Sequence, residues 1–350
     1  MDIQIRAMRT DEKKEVARLA KRSFGIMEGL FIADPKTALV AVVDNEIVGG
    51  VFYHIKKSGA KKFGYIDILF TLPEFQGKGI GKRLSEECFR VLWEQNCDAL
   101  ITYVLGDNIP SWTQFVKNGF VQTSFKKMAQ NLGIIEGLKP QILLSAYGFT
   151  MGYDFYIAFP DKAETIKYQR QSNTSTQKAY FVLANLFFTF IASRTVSNHF
   201  IFFIAFALLL FGSILSGYIA TLFSKEKWQF RLNEGGVWSS LIAAIGHFWL
   251  PLNASWFPEQ YKNTPQMRKE LAFNSIATWV FLFLVAMSKL LFSDPPLLLT
   301  ALSGISVMLL ILRSIPFAPV SSYGAERVLQ WNKLVWVLLT ALTAFAYYIL

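Results

Sequence analysis

Residues Gln76 to Lys82 read QGKGIGK. Glycines at 77, 79 and 81 remove the Cβ atoms that would keep backbone N–H groups from converging on one point. Ile80, Leu84, Cys88, Val91 and Leu92 follow at helical spacing, so the glycines lie where a loop becomes a helix N-terminus. Unpaired first-turn amides and the positive end of the helix dipole make such a place an anion site, best suited to phosphate. Lys78, Lys82 and Arg83 add charge at its rim. A bare GxG fits a ligand-free glycine turn equally well. Two other phosphate motifs are excluded: no Gly-Lys-Ser/Thr follows, and the dinucleotide fingerprint with its later acid is missing.

The elements around this loop alternate. IQIRAM reads as a strand, and TDEKKEVARLAKRSF as a helix with Val16, Leu19 and Ala20 on one face. ALVAVVDNEIVGGVFYHI reads as two strands about an Asp44-Asn45 turn. KFGYIDILFTLP is another strand, stopped by Pro73, which cannot donate to a continuing ladder. The 350 residues leave room for two domains. Residues 1–178 carry 24 Lys+Arg and 19 Asp+Glu, against 11 and 6 in 179–350, so each half has a net charge of +5. Without a basic cluster on one face there is no nucleic-acid footprint. The charge solvates the first half and anchors the second to anionic headgroups. Cys88 and Cys97 are too few for a disulfide framework and read as reduced core thiols. MDIQIRAMRTDEKKEV has no apolar leader-like run, so the first domain is expected on the cytosolic side.

The segment LFTLPEFQGKGIGKRL resembles the acetyl-CoA-binding motif of the GNAT superfamily of acetyltransferases, Gln/Arg-x-x-Gly-x-Gly/Ala, through Gln76, Gly79 and Gly81. A second block, GDNIPSWTQFVKNGF, is similar to the family's Asn-x-x-Ala…Tyr-x-x-x-Gly-Phe segment, through Asn108, Ser111 at the Ala position, and Gly119-Phe120. The resemblance covers residues 1–160 and ends in GYDFYIAFP as a closing strand. It implies an α+β fold with a mixed, mostly antiparallel central sheet and flanking helices. It also implies acetyl-CoA as cofactor, its pyrophosphate held at Gln76, Gly77, Lys78, Gly79, Ile80, Gly81 and Lys82. Its pantetheine arm would lie on the backbone of Leu69, Phe70 and Thr71, and Asn108 would contact it. The reaction would be attack of an amine on the thioester, and the amine must first lose a proton. Asp67, four residues before Thr71 and on the same strand face by period-two alternation, matches the position of the carboxylate base in some members. A solvated strand-edge carboxylate is the alternative. One departure stands out. Phe115 occupies the position of the tyrosine that protonates the leaving thiolate in many members, and it has no proton to donate. The family's specificity loops fall at 24–36 and 128–150, here apolar and adaptable.

A polar stretch, 161–178, is expected to link this domain to a second of different composition. Apolar runs follow at 179–193, 200–222, 237–253, 271–292, 296–318 and 332–350. At 1.5 Å per residue, 200–222 spans roughly 34 Å, enough for a hydrocarbon core of about 30 Å. The second half is therefore expected to be a helical multi-span membrane domain. Loop charges favour five spans with 237–253, broken by Gly246 and Pro251, as a re-entrant segment.

SIPFAPVSSYGAERVLQWNKLVW resembles the late membrane segment of site-2 protease-type zinc metalloproteases, and FGSILSGYIATLF sits where their His-Glu-x-x-His helix would be, ahead of a polar hairpin, KEKWQFRLNEGG. The matching positions are Gly212, Ser213 and Ser216, and no acid lies from Pro319 to Ala325. A catalytic zinc needs about three converging protein ligands, so no metal site is expected and the domain would be an inactive protease. His247, in an apolar run, reads as a bend histidine or an intramembrane functional group. Asn274 and Arg313 read as helix braces or snorkelling groups.

Together these features point to a membrane-tethered N-acetyltransferase, its partners acetyl-CoA, an amine acceptor of a small molecule or protein, and membrane lipid. A non-enzymatic coenzyme A sensor, whose inactive protease domain binds a membrane protein, is the alternative, and a transporter a third, weaker reading.

Overall fold

The computed structural model describes residues 2–24, 29, 32–104, 108–144, 153–170, 173–194, 196–232, 234–246, 248–259, 264–316 and 323–350. The chain divides into two compact units, Met1–Phe149 with Tyr153–Arg170, and Thr150–Gly152 with Gln171–Leu350.

The first unit is built on seven strands: β1 (Gln4–Ala7), β2 (Ala38–Val43), β3 (Glu46–Ser58), β4 (Lys61–Thr71), β5 (Ala99–Val104), β6 (Val121–Gln122) and β7 (Asp154–Ala158). Their order is β1-β2-β3-β4-β5-β7-β6. Only β4 and β5 pair in parallel; every other neighbour is antiparallel. The mixed, mostly antiparallel sheet expected from the sequence is the one found. Asp44 and Asn45 take φ of 48° and 65°, the left-handed pair that a two-residue hairpin requires and that these residue types tolerate.

Two helices cover opposite faces of this sheet. On one face α2 (Ile80–Glu94) buries Ile80, Leu84, Cys88 and Leu92 against Val48, Val51, Ile66 and Leu100. On the other, α1 (Lys13–Phe24) buries Val16, Leu19 and Ala20 with Phe52, Phe70 and Leu72. Full burial of a leucine such as Leu84 contributes about 1.5–3 kcal/mol before entropy is counted. Cys88 and Cys97 are free and buried, and burial pushes both thiols up, which suits small core residues.

The remaining elements of this unit are α3 (Ile109–Lys117), α4 (Phe125–Leu132), α5 (Ile134–Leu144) and α6 (Lys162–Lys167). Much of the stretch expected as loop, 128–150, is thus helical. Within 161–178 the described residues include α6 and the start of the following helix, Thr174–Ser193. Asp161 caps α6 by accepting from the Ala163 N–H at 2.9 Å. Asn173 caps the next helix by accepting from Ser175 and Thr176. Caps, not apolar periodicity, start these helices.

The second unit is mainly helical: α7 (Thr174–Ser193), α8 (His199–Thr221), α9 (Glu234–Ile245), α10 (Pro265–Met287, continued by a 3-10 turn to Leu291), α11 (Leu297–Leu312), α12 (Ala325–Trp331) and α13 (Lys333–Ile349). Two described helices are long and apolar enough to cross a membrane, His199–Thr221 with mean hydropathy 2.4 and Pro265–Leu291 with 1.8. Leu297–Leu312 and Lys333–Ile349 are shorter apolar helices.

The apolar run 237–253 is not one element. Its helix stops at Ile245, and the chain continues into a strand, β9 (Ala254–Pro258), antiparallel to β8 (Trp228–Leu232). KEKWQFRLNEGG is therefore not a hairpin in itself, because its strand pairs across α9. The reason is apolar: Phe230 lies directly opposite Trp256, their ring centroids 5.3 Å apart and both buried.

Polar side chains brace the helices. Asn185 accepts from the Leu252 N–H at 2.8 Å and donates to the Leu252 carbonyl. Asn274 donates to the Gly217 carbonyl at 2.7 Å, joining α10 to α8. Arg313 donates to the Tyr323 carbonyl at 2.9 Å. Gly212, Ser213 and Ser216 lie on α8. His247 lies outside the described residues.

Candidate functional site: an amide cradle at a parted strand

Between β4 and α2 the backbone turns through two left-handed glycines, Gly77 with φ 77° and Gly79 with φ 79°. A Cβ at either would meet nothing within 4 Å, so the loop is open where a ligand would approach it. Gly79 is the N-cap of α2 and supplies no capping side chain, and the first turn carries no acid. The Arg83 N–H donates to the Gly79 carbonyl at 3.1 Å as the first helical bond. The N–H groups of Ile80, Gly81 and Lys82 precede that bond and have no helical acceptor. The Gln76 amide donates to the Thr71 carbonyl at 3.2 Å, fastening the loop to the end of β4. Lys78 lies over the Phe75 ring at 4.8 Å, and Lys82 makes an exposed contact with Glu86 at 3.8 Å. The result is a set of first-turn amides without helical acceptors at the positive end of a 15-residue helix, rimmed by cations.

The strand feeding this loop changes partners along its length. Among the described residues the β4–β5 register runs from Phe63↔Ala99 to Ile66↔Thr102 and ends there, where Thr102 Oγ1 donates to the Ile66 carbonyl at 2.9 Å. Residues 67–71 continue beside β3 alone. At the same point the β3–β4 register slips, with Phe52 opposite Ile68 but Tyr53 opposite Ile66. Asp67 is therefore the extra residue of a β-bulge.

The bulge overturns the expectation that Asp67 and Thr71 share a face. Period-two alternation holds on either side of an extra residue but not across it. Ile66 and Leu69 pack on the α2 side, whereas Ile68 and Phe70 pack on the α1 side. Thr71 lies on the α2 side, its Oγ1 3.6 Å from where a Gly81 Cβ would stand. Asp67 turns the other way. One of its oxygens accepts from the Tyr65 hydroxyl at 3.1 Å, and the other lies 3.3 Å from His54 Nε2.

His54 escaped the sequence reading. It stands directly opposite Tyr65 in the β3–β4 register and stacks on it with centroids 6.2 Å apart. Tyr65 meets Tyr103 edge-on at 6.5 Å, and Tyr103 stacks on Phe155 at 4.8 Å. An aromatic row thus crosses β3, β4, β5 and β7. The His54 and Asp67 side chains remain 29% and 36% exposed on it. The α1 helix covers this face as far as Phe52, and Ser58, on the same face, donates to Glu136 of α5 at 3.1 Å. His54 and Asp67 occupy the open ground between.

Asn108 is the N-cap of α3, accepting from the Ser111 N–H at 3.2 Å. Phe115, on the same helix, is 2% exposed and packs between Phe89 and Phe120 with centroids 5.8 and 5.2 Å away. Its ring belongs to the core.

Residues 4–120 match the model of the acetyltransferase (GNAT) family, so a GNAT acetyltransferase domain lies in the N-terminal region. The chain is similar to the mycothiol acetyltransferase of Streptomyces griseus subsp. griseus, with 33% identity over 87 residues, 25% of this chain and 28% of that protein. It is also similar to an uncharacterized N-acetyltransferase of Archaeoglobus fulgidus, with 39% identity over 72 residues, 19% of this chain and 48% of that protein. The chain thus spans less than half the length of both curated relatives. Among solved structures, the PaiA N-acetyltransferase from Thermoplasma acidophilum in complex with coenzyme A superposes with a TM-score of 0.33 at 17% identity, over 45% of this chain and 99% of that one.

Proposed function

We propose that the first unit is an N-acetyltransferase that moves acetyl from acetyl-CoA to an amine. One observation carries the reading: the Ile80, Gly81 and Lys82 amides without helical acceptors follow the end of the strand that has just parted from its parallel neighbour. An anionic thioester donor needs both features, a cradle for phosphate and a length of strand edge for an amide-bearing arm. The residues fit it, since the space over Gly77 and Gly79 is open and the β4–β5 ladder ends before residues 67–71.

In this reading the N–H groups of Ile80, Gly81 and Lys82 hold the pyrophosphate, with Lys78 and Lys82 screening its charge and Gln76 fixing the loop. The backbone of Leu69, Phe70 and Thr71 aligns the arm, and Asn108 meets it from the N-terminus of α3. Bound there, acetyl-CoA supplies an acyl group activated by a thiol leaving group, whose pKa of about 8.5 lets it depart without a strong acid. Asp67 belongs to the apparatus that removes the amine's proton, on the face away from α2. Phe115 takes no part, because its ring is enclosed.

The second unit is proposed to be a multi-span membrane domain without a metal, keeping the acetyltransferase near membrane-associated acceptors and on the cytosolic side. Leu208, Phe211, Leu215 and Ile219 support this, lying exposed along one flank of α8 at spacings of three and four residues. The apolar spans would number five, with 237–253 entering and leaving on one side. Reporter fusions at residue 262 test the topology, and a periplasmic or lumenal signal there would sink it.

Calorimetric titration of acetyl-CoA into the detergent-solubilised full chain, beside Gly79→Glu, tests the catalytic reading. Saturable binding that the glutamate abolishes, followed by thiol release with members of an amine panel, is the expected result. A folded chain that binds nothing would refute it.

A further inference from the structure

The sequence pointed to Asp67 as the proton acceptor, but the structure surrounds that carboxylate with two donors. The Tyr65 hydroxyl occupies Oδ1 at 3.1 Å, and His54 Nε2 lies 3.3 Å from Oδ2. A carboxylate so placed is committed to holding its neighbours. It can only accept from the ring, so the neutral imidazole carries its hydrogen on Nε2 and its lone pair on Nδ1. We propose that His54 is the group that takes the proton from the acceptor amine, and that Asp67 and Tyr65 are positioning residues that set its tautomer and orientation. The inference rests on the acetyltransferase reading and adds to it the residue that does the proton work.

Three features of the fold converge on this arrangement. Tyr65 and Asp67, two residues apart, share the His54 face, and the surplus residue at the bulge sends Leu69 and Thr71 to the α2 side, where regular alternation would have left them beside Asp67. The parting of β4 from β5 begins at the same residue, so Asp67 stands at the opening where an acyl donor would end, with His54 one strand away across β4. Among the described residues α1 and α5 leave His54 uncovered, with 29% of its side chain exposed, which admits an amine. The buried aromatic row of Tyr65, Tyr103 and Phe155 continues beside it and braces the face on which His54 stands.

An ammonium acceptor gives one proton to His54 Nδ1, and its nitrogen, now with a free pair, forms the bond to the acyl carbon. The carbon–sulfur bond breaks with its pair on sulfur. The nitrogen loses a second proton to become the amide, the sulfur takes one up from the imidazolium, and the ring returns to its Nε2–H form. One proton is released to solvent overall.

The test has two parts, and the chain suits it because it has only three histidines. In the full chain in detergent micelles, nitrogen-labelled histidine resonances assign the tautomer, with His54→Gln identifying its signal. The expected wild-type form is Nε2–H, and Asp67→Asn should shift that signal toward the mixed populations of free imidazole. Finding the Nδ1–H form in the wild type would overturn the proposal whatever the kinetics. Steady-state transfer follows, with acetyl-CoA affinity measured by calorimetry in each variant. His54→Gln should lower kcat about 10²- to 10⁴-fold while acetyl-CoA affinity stays put. Asp67→Asn should lower it less, and Tyr65→Phe least. A His54→Gln variant at the wild-type rate would overturn the proposal and leave the acetyltransferase reading standing. A wild type that transfers acetyl to no amine would remove that reading, and this one with it.

Discussion

Gly79 and Gly81 are two residues apart in one motif, and the structure gives them opposite roles. Gly79 has φ 79° and a Cβ there would touch nothing within 4 Å, so Gly79→Ala carries only a backbone cost. A left-handed L-residue costs roughly 1–2 kcal/mol. Gly81 is the second residue of α2, its φ is not left-handed, and its added Cβ would rest 3.6 Å from Thr71 Oγ1, an ordinary contact. Alanine exceeds glycine in a helix by about 0.8–1 kcal/mol, somewhat less in a first turn. The same methyl group should therefore loosen the start of α2 at position 79 and tighten it at 81. Hydrogen exchange read by mass spectrometry on peptides covering 76–94 of the full chain measures this directly. At 1–2 kcal/mol, Gly79→Ala should speed exchange about 5- to 30-fold. Gly81→Ala should slow it by up to about fivefold. Equal acceleration by both would mean that the loop does not turn at Gly79 as described, and the cradle argument would fall with it.

Glu12 gives a pH-dependent outcome. Side-chain bonds from Arg6, a backbone bond from Arg9 and that residue's guanidinium hold its carboxyl down to about 2. A depressed folded pKa gives stability that is present above the unfolded value near 4.5 and lost as pH falls toward 2. Arg6 and Arg9 keep 27% and 68% of their side chains exposed, so solvent screening holds the contribution to about 1–2 kcal/mol. Glu12→Gln should flatten the stability profile between pH 5 and about 2, measured by acid titration of the unfolding midpoint. Phe115→Tyr would put a hydroxyl among Phe89 and Phe120, costing about 1–3 kcal/mol with no gain in rate; a faster enzyme of undiminished stability would contradict this. Asn108→Ala should cost about 1 kcal/mol through loss of the Ser111 cap, whereas Asn108→Ser should restore the stability. Acetyl-CoA affinity that stays low in the serine variant would mark a ligand contact beyond the cap.

The sequence made the loop, the strand before it and the helix after it legible, because glycine spacing, Pro73 and the Ile80-Leu84-Cys88 repeat are local signals. The Asp44-Asn45 turn was legible for the same reason. What was hidden lies in pairing. The β3–β4 register sets His54 against Tyr65, and nothing in YIDILFT reveals that one residue is surplus to the ladder. Alternation counted through the bulge put Asp67 on the wrong face. Phe115 was read as a tyrosine's absence, when its contacts with Phe89 and Phe120 make it a core residue first. In the second unit, hydropathy located α8 and α10 but gave no sign of β8 and β9, whose strands are separated by a whole helix and joined through Phe230 and Trp256.

A single extra residue in β4 does two jobs that a regular strand cannot combine. Upstream of Asp67 the strand is held on both sides, so Tyr65 and Ile66 are rigid. Downstream, among the described residues, it pairs with β3 alone, which leaves an edge for a ligand and delivers the chain to the glycine loop. Because side chains change face at the bulge, the groups of the acceptor side, His54, Tyr65 and Asp67, sit across the sheet from Leu69 and Thr71. A donor lying in the split would then be reached by the proton acceptor from one face while α2 closes the other. The separation of donor and acceptor thus follows from where the ladder slips, and it would persist under any substitution that keeps the bulge.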